Sequence, residues 1–233
     1  MTDVVDLLDR RLYGLVQVDR LLALTPGTAR RWVEGYARAN TTYPPVVRAQ
    51  PTGDEIVTWG EFVETRLLAE YRDAGVPLVR MRPAVERLRE QFNTRYPLAH
   101  AHPFVDVAGR ELVLRTQEEI GLEKQLRLVV IRNDQVVLTA PAEQFVKSVE
   151  FGADDGIAER LRPLPDVKHV VMDPLRQFGE PVVRSVRTEV IAEQVRAGDP
   201  IAMIASLYEL TTEQVEAAIR YELIRGNRAT DAA

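Results

Sequence analysis

The stretch "LYGLVQVDRLLALTPGTARRWVEGY", residues 12–36, predicts two short helices joined by a tight turn. In its first half, Leu15, Val18 and Leu22 fall on one side of a helix, and Gln17 and Arg20 fall on the opposite side. This spacing predicts an amphipathic helix of about two turns. The helix is expected to end near residues 23–24, ahead of the proline and glycine that follow.

The second helix carries start signals of its own. Thr25 offers an N-cap oxygen, Pro26 suits the first helical position, and the helix is predicted to run to about Arg38. The apolar spacing buries one side of this helix, which holds Ala29, Trp32, Val33 and Tyr36. The other side is expected to face water, with Thr28, Arg30, Arg31 and Glu34 exposed.

A helix-turn-helix of this kind can read DNA, because its second helix enters the major groove while its first helix crosses the backbone. Arginine is suited to this work, since its guanidinium pairs with guanine edges and with phosphates. The candidate DNA-binding residues are Gln17, Thr25, Thr28, Arg30, Arg31 and Arg38. The alternative is a helix pair that only forms core, with arginines that simply face water.

The composition of the chain excludes several classes of protein. Its 233 residues are 45% hydrophobic and 28% charged, which is typical of an ordinary soluble chain of one or two domains. It has no cysteine, so disulfides, thiolate zinc sites and cysteine nucleophiles are excluded. No apolar run is long enough to span a membrane, and a cytoplasmic location is expected. Because the net charge is −5, any basic nucleic-acid surface must be local.

The next region is expected to form a wing or linker and then a helical arm. "TTYPPVVRAQPTGDEIV", residues 41–57, contains helix-breaking prolines and a glycine. Thr58 and Glu61 have the spacing of a capping box, which predicts a helix that runs to Gly75. Pro83 is predicted to start another helix, and both helices are expected to form an arm leading away from the first domain.

From Phe104 to Phe151 the hydrophobic period changes to two, which predicts a small antiparallel sheet. Turns are expected at Gly109 and at residues 133–134. His100 and His102 have the only metal-like spacing in the chain, but with no third ligand nearby we expect local packing and no metal site. The adjacent acids at 154–155 are expected to lie in a solvated loop.

The last third predicts three short helices. Thr188 opens the first and Gly198 closes it, residues 199–200 start the second, and Thr211 with Gln214 forms a capping box for the third. The second and third helices make another helix-turn-helix. Their predicted apolar faces are Ile201, Ile204, Ala205 and Tyr208, then Val215, Ala218, Ile219 and Leu223. The third helix is expected to end near Leu223, with Gly226 breaking it and leaving a flexible tail.

Two resemblances add to this interpretation. Residues 13–36 resemble the opening of MerR-type winged helix-turn-helix domains, although Gly14 stands where serine or threonine is usual and Ala23 where glycine is usual. Residues 173–221 resemble a bacterial family known only as domain of unknown function 433. The matching residues are Asp173, Pro174, Gly179, Pro181, Val182, Arg184, Arg187, Ala197, Gly198, Thr212, Glu213, Val215, Ala217, Ala218 and Tyr221. Ser185 and Val186 replace that family's usual Gly-Thr.

The combination of these two parts is similar to VapB-type antitoxins. That resemblance implies a protein that binds its own promoter DNA and neutralises a PIN-domain ribonuclease toxin. A PIN domain gathers carboxylates around a metal, so an arginine suits its pocket. The candidate toxin-binding residues are Arg225 and Arg228 in the tail, and Arg184 and Arg187 in the family motif. A homodimer is expected, because one recognition helix covers only a few base pairs.

Two other functions stay open. One is a stand-alone transcriptional regulator with a ligand-sensing middle domain. The other is an enzyme. The sequence argues against it, because it contains no phosphate-binding Gly-Lys loop, no His-Glu-Xaa-Xaa-His motif and no nucleophile elbow. We therefore expect neither catalysis nor a cofactor.

The predicted fold class is α+β, in four parts. Residues 1–48 form the helix-turn-helix domain, 49–98 the linker and helical arm, 99–165 the small antiparallel β region, and 166–233 the C-terminal helical domain with the second helix-turn-helix.

Overall fold

A computed structural model describes residues 6–73, 81–133 and 135–231. Their fold is α+β, as the sequence predicts, with helices and several small antiparallel sheets. The described residues divide into two compact units, one within 1–147 and 151–158 and the other within 148–150 and 159–231. The division into four functional parts stays a prediction.

The first unit begins with a winged helix-turn-helix. Its elements are β1 (Arg11–Gly14), α1 (Leu15–Leu21), α2 (Thr28–Glu34), β2 (Tyr36–Arg38), β3 (Thr41–Tyr43) and β4 (Ile56–Thr58). Strand β1 pairs antiparallel with β4, and β2 pairs with β3 in a hairpin that follows α2 directly. The wing is therefore this hairpin: its first strand precedes the stretch 41–57 that was expected to form a wing or linker, and its second strand takes up the first three residues of that stretch.

The second helix is shorter than predicted. It ends at Glu34 and not near Arg38, because Gly35 has φ +74 and turns the chain into β2. A Cβ on Gly35 would lie 2.5 Å from the backbone oxygen of Tyr43 and 2.9 Å from the nitrogen of Pro45. Only glycine fits this close approach of the wing to the end of α2.

Helix α3 (Trp59–Asp73) forms the centre of the first unit. Thr58 and Glu61 make the predicted capping box, with hydrogen bonds of 2.9 and 3.2 Å. Its buried Phe62 packs on Tyr13 of β1 with ring centroids 4.4 Å apart. The predicted stop at Gly75 lies outside the described residues. The helix that begins near Pro83 is confirmed as α4 (Arg82–Phe92).

The predicted helical arm is not seen. Helices α3 and α4 lie in the same compact unit as the helix-turn-helix, and α3 is buried along most of its length. The sequence pattern of α3 did not reveal this burial, because its buried positions include the charged Glu61 and Glu64. Burial raises the pKa of Glu64 to about 7, against the opposing effect of nearby Arg89.

The middle of the chain is more helical than predicted. Residues 104–115, expected as two strands with a turn at Gly109, lie in α5 (His102–Val105) and α6 (Val107–Glu119). At Gly109 the two helices pack so closely that a Cβ would lie 1.9 Å from the carbonyl oxygen of His102. This glycine permits a helix–helix contact and does not mark a turn.

The second predicted hairpin is confirmed. Strands β5 (Val129–Arg132) and β6 (Gln135–Leu138) pair antiparallel around Asn133, whose φ is +51. Asp134, the other predicted turn residue, lies outside the described residues. The chain continues through α7 (Ala140–Ser148) to β7 (Val149–Phe151) and β8 (Ala158–Leu161), so the predicted sheet is interrupted by a helix. Asp154 and Asp155 are exposed between β7 and β8, as expected.

The second unit contains a three-stranded sheet and three helices. The strands are β9 (Val170–Val171), β10 (Val182–Val183) and β11 (Val186–Arg187), and the helices are α8 (Thr188–Ala197), α9 (Ile201–Leu207) and α10 (Thr212–Asp231). Gly198 ends α8 with φ +99, and Thr211 with Gln214 makes the capping box of α10, both as predicted. Ile204, Val215 and Ala218 lie in its core, whereas Leu223 is exposed.

Helix α10 is longer than predicted. It continues through Gly226 to Asp231, so the expected break near Leu223 is wrong. One internal glycine costs a helix only about 1 kcal/mol, and the helix is already held by its buried first turns. Among the described residues, no helix is long and apolar enough to cross a membrane.

We expect Gly35→Ala to destabilise the first unit by roughly 3 kcal/mol, because the new Cβ meets backbone and φ is positive. Gly53 is a matched control: its φ is +72, but a Cβ there would meet nothing within 4 Å. Gly53→Ala should cost about 1 kcal/mol. Urea unfolding followed by the fluorescence of Trp32 and Trp59 measures both, and equal losses would contradict the close-approach argument.

Candidate nucleic-acid interface

The turn between α1 and α2 is held by a buried carboxylate. Asp19, on α1, accepts hydrogen bonds from the backbone N–H of Gly27 and of Ala29, both at 2.7 Å. Burial raises the pKa of this carboxyl, and the two backbone donors oppose the rise. Asp19 therefore caps α2 from the neighbouring helix.

The predicted cap at Thr25 is wrong. The N-cap position is Gly27, with φ +80, and the helix begins at Thr28. Thr25 and Pro26 lie in the exposed turn, where the Thr25 carbonyl accepts from the N–H of Thr28 at 3.0 Å. Threonine and proline stand at the spacing that usually marks the start of a helix. The carboxylate of Asp19, however, already accepts the hydrogen bonds of the N–H groups at this end of α2.

The two adjacent arginines of α2 are exposed, as predicted. Arg30 is 56% exposed and forms an ion pair with Glu55, which is itself 68% exposed. Arg31 donates a hydrogen bond of 2.8 Å to the hydroxyl of Thr28. An exposed ion pair contributes little to stability, so Glu55 can give way to a phosphate without much cost.

Thr28 and Glu34 were expected to be exposed, and both expectations are wrong. Thr28 is only 5% exposed, because it lies beneath Arg31 at the start of the helix. Glu34 points inward and pairs with the buried Arg48. It also accepts hydrogen bonds from the N–H of Thr52 and of Gly53, at 2.9 and 2.8 Å, and these donors lower the pKa of its carboxyl against the effect of burial.

Arg48 joins α2 to α3. Its Nε donates to Glu61 at 2.8 Å, and its Nη1 donates to Glu34 and, at 2.8 Å, to the carbonyl of Asp54. The acidic partners raise the pKa of this guanidinium, although burial alone would lower it. Neither Arg48 nor Asp19 was among the residues predicted to be important from the sequence. A single arginine in a proline-rich stretch carries no signal that it is buried.

The remaining predicted DNA-binding residues lie around this helix pair. Arg38 is exposed at the end of β2, next to the turn of the wing. Gln17 is half-buried at the start of α1, where its side chain accepts from the N–H of Gly14 at 3.4 Å. Among the residues considered, Arg30, Arg31 and Arg38 are the cations that the structure leaves at the surface of the winged helix-turn-helix. Their role in DNA binding stays a prediction.

The second helix-turn-helix, α9 with α10, has a different surface. The first turns of α10 expose Glu213 and Glu216, and Glu213 lies 3.3 Å from His169. Carboxylates at the start of a recognition helix repel the phosphate backbone. The charge therefore favours the first helix-turn-helix as the nucleic-acid surface.

The arginines predicted to bind a toxin fall into two groups. Arg184 and Arg187 are exposed on the β10–β11 hairpin, and Arg184 donates to the carbonyl of Glu209 at 3.1 Å. Arg225 is not in a flexible tail: it lies on α10 and pairs with Glu222 at 3.0 Å. Arg228 also lies within α10.

The two histidines have separate partners. His100 lies 3.1 Å from the hydroxyl of Thr94, and His102 lies 2.5 Å from the carboxylate of Asp106 and packs edge-on against Phe92. No group of three or more His, Asp or Glu residues able to hold a metal occurs in the parts of the chain that the structure describes.

Comparison with known proteins agrees with this two-part organisation. Residues 11–85 match a family described as "Putative DNA-binding HTH domain", and residues 170–221 match "Protein of unknown function (DUF433)". The MerR-like assignment stays a prediction.

Two proteins of Mycobacterium tuberculosis (strain ATCC 25618 / H37Rv) are similar over nearly the whole chain. "Uncharacterized protein Rv2308" is 41% identical over 94% of this chain and 92% of its own length. "Putative antitoxin VapB45" is 30% identical over 91% of this chain and 93% of its own length. The crystal structure of Rv2018 from the same species has a TM-score of 0.73 and 29% identity, covering 91% of this chain and 98% of that chain.

We expect Asp19→Ala to destabilise the first unit by about 2 kcal/mol, because it leaves two helix N–H groups without their acceptor. Asp19→Asn, which keeps the shape and offers one acceptor oxygen, should lose less. Asp155→Ala is the control, since Asp155 is exposed and accepts a 3.0 Å bond from the N–H of Ile157 in a loop outside the helix-turn-helix. Thermal unfolding measures all three. A loss at Asp19→Ala no larger than at Asp155→Ala would refute the capping role.

Proposed function

The chain belongs to the family that includes Rv2308 and "Putative antitoxin VapB45", and from that premise we propose that it is a DNA-binding antitoxin. In this proposal the first helix-turn-helix binds the promoter of its own operon, and the chain also neutralises a partner toxin. The observation that carries the DNA-binding part is the pair Arg30 and Arg31, exposed on a helix whose start is capped and whose far end is anchored by Glu34.

The arrangement has what direct reading of DNA requires. A recognition helix must be held rigidly while its outer side chains stay available, and α2 is fixed at both ends by buried charges. Arg38 at the wing is placed near the hairpin turn, where a basic side chain can add a backbone contact. Such a protein acts in the cytoplasm and needs neither catalysis nor a cofactor for these tasks.

A homodimer completes the DNA-binding proposal. Two recognition helices related by a two-fold axis double the length of the operator that is read.

The proposed toxin is a PIN-domain ribonuclease, whose carboxylate-rich metal site would attract arginine. The candidate arginines on the β10–β11 hairpin suit this better than Arg225, which is already paired with Glu222. A stand-alone regulator is the alternative, and it predicts a functional promoter complex with no toxin.

We expect Arg30→Ala with Arg31→Ala to weaken binding to the chain's own promoter fragment at least tenfold, since a good arginine–guanine pair contributes about 1–3 kcal/mol. Arg196→Ala with Arg220→Ala is the matched control, because it removes two exposed arginines from the second unit. Its affinity should stay within about twofold of the wild type. Gel-shift titrations at several salt concentrations measure both, and a larger loss in the control would point to the second helix-turn-helix instead.

The toxin is tested by co-expression with the protein encoded by the adjacent reading frame. We expect the full chain to restore growth and to co-purify with that protein. Arg184→Ala with Arg187→Ala should reduce rescue, whereas Arg225→Ala with Arg228→Ala should leave it unchanged. Wild-type chain that binds promoter DNA but neither rescues growth nor co-purifies would favour the stand-alone regulator.

A further inference from the structure

A short loop in the second unit exposes two large apolar side chains. It comprises residues 174–179, "PLRQFG", between β9 and β10, and we call it the Phe178 loop. Leu175 is 65% exposed and Phe178 is 81% exposed. Burying either side chain would be favourable, so the fold gains nothing from keeping both in water.

The backbone of this loop is strained. Gln177, Phe178 and Gly179 follow one another in the left-handed region, with φ of +45, +55 and +75. Only glycine adopts this conformation without cost, and non-glycine residues held in it are concentrated at binding and active sites. Phe178 is thus held in an unfavourable backbone conformation while its side chain lies in water.

The base of the loop is held rigidly by Asp173, which is only 5% exposed. One oxygen of its carboxylate accepts from the N–H of Leu175 at 2.9 Å. The other accepts from Nε of Arg160 at 3.2 Å and lies 3.4 Å from Nε of Arg176. The loop is therefore organised before any partner arrives, which lowers the entropic cost of binding.

Ion pairs link the base of the loop to the neighbouring strands. Three arginines, Arg160, Arg162 and Arg176, share the two carboxylates of Glu150 and Asp173. Arg176 is 57% exposed, and in the sequence it stands between the two exposed apolar residues Leu175 and Phe178. An arginine flanked by exposed apolar residues on a rigid loop is a typical centre of a protein–protein interface.

We propose that the Phe178 loop is the surface through which this chain binds its toxin. Leu175 and Phe178 enter an apolar pocket of the toxin, and Arg176 pairs with carboxylates at the edge of that pocket. This proposal rests on the proposed antitoxin function, and it places the main contact on residues outside the arginines considered from the sequence.

The test compares two double variants of the full chain. Leu175→Ser with Phe178→Ser removes the apolar pair of the loop, and Met203→Ser with Leu207→Ser removes a similar pair from α9, where both side chains are about 60% exposed. The probe is the protein encoded by the adjacent reading frame, purified and titrated by calorimetry. We expect the loop variant to bind at least a hundredfold more weakly and the α9 variant to bind within about threefold of the wild type.

A single variant separates binding from folding. Phe178→Gly relieves the left-handed strain, so it should unfold at the same temperature as the wild type or higher while binding at least tenfold more weakly. Arg176→Ala should reduce the salt dependence of toxin binding. A Phe178→Gly chain that unfolds at a clearly lower temperature would show a structural role for Phe178 and overturn the proposal.

The outcomes distinguish this proposal from the function on which it rests. If the wild type binds the probe and the loop variant binds it equally well, the loop is not the contact, while the antitoxin function stands. If the wild type does not bind the probe, the antitoxin function itself fails and the loop proposal fails with it. Light scattering tests whether a second copy of this chain binds the loop instead. If the wild type is a dimer and the loop variant is a monomer, the loop serves self-association and the proposal is overturned.

Discussion

The buried ion network of Arg48 is the interaction on which the first unit depends. Its guanidinium binds Glu34 of α2 and Glu61 of α3. Further hydrogen bonds to Thr52, Asp54 and Ile56 hold the segment between the wing and β4 in place. Leaving one partner of such a network unpaired costs about 3–5 kcal/mol. The position of α2 is therefore set by charges in the interior as well as by apolar packing.

This constraint also shapes the charge of the outer surface. Glu34 and Asp19 lie inside the helix-turn-helix, where Glu34 pairs with Arg48 and Asp19 caps α2. The arginines of α2 are left at the surface, and the acid nearest to Arg30 is the exposed Glu55. A chain with a net charge of −5 can in this way expose arginines on α2, because two acids of the helix-turn-helix are engaged in its interior.

The two helix-turn-helix pairs of the chain show that the motif alone does not define a task. Helix α2 presents arginines, whereas the first turns of α10 present Glu213 and Glu216. The second unit instead exposes apolar side chains on a strained and well-anchored loop that ends in Phe178 and Gly179. The two units thus differ in the side chains that they expose, although each contains a helix-turn-helix.

Local signals in the sequence by themselves determined the helix pair at residues 15–34, the capping boxes at Thr58 and Thr211, the β5–β6 hairpin and the α+β class, because caps, turns and periodicity act within a few residues. Only the tertiary structure decided that residues 104–115 are helical, that Gly109 marks a helix contact, and that α10 continues past Gly226. It also decided which charged residues are buried. Such residues are stabilised by partners distant in sequence, as Arg48 is by Glu61, and no local pattern encodes such a pairing.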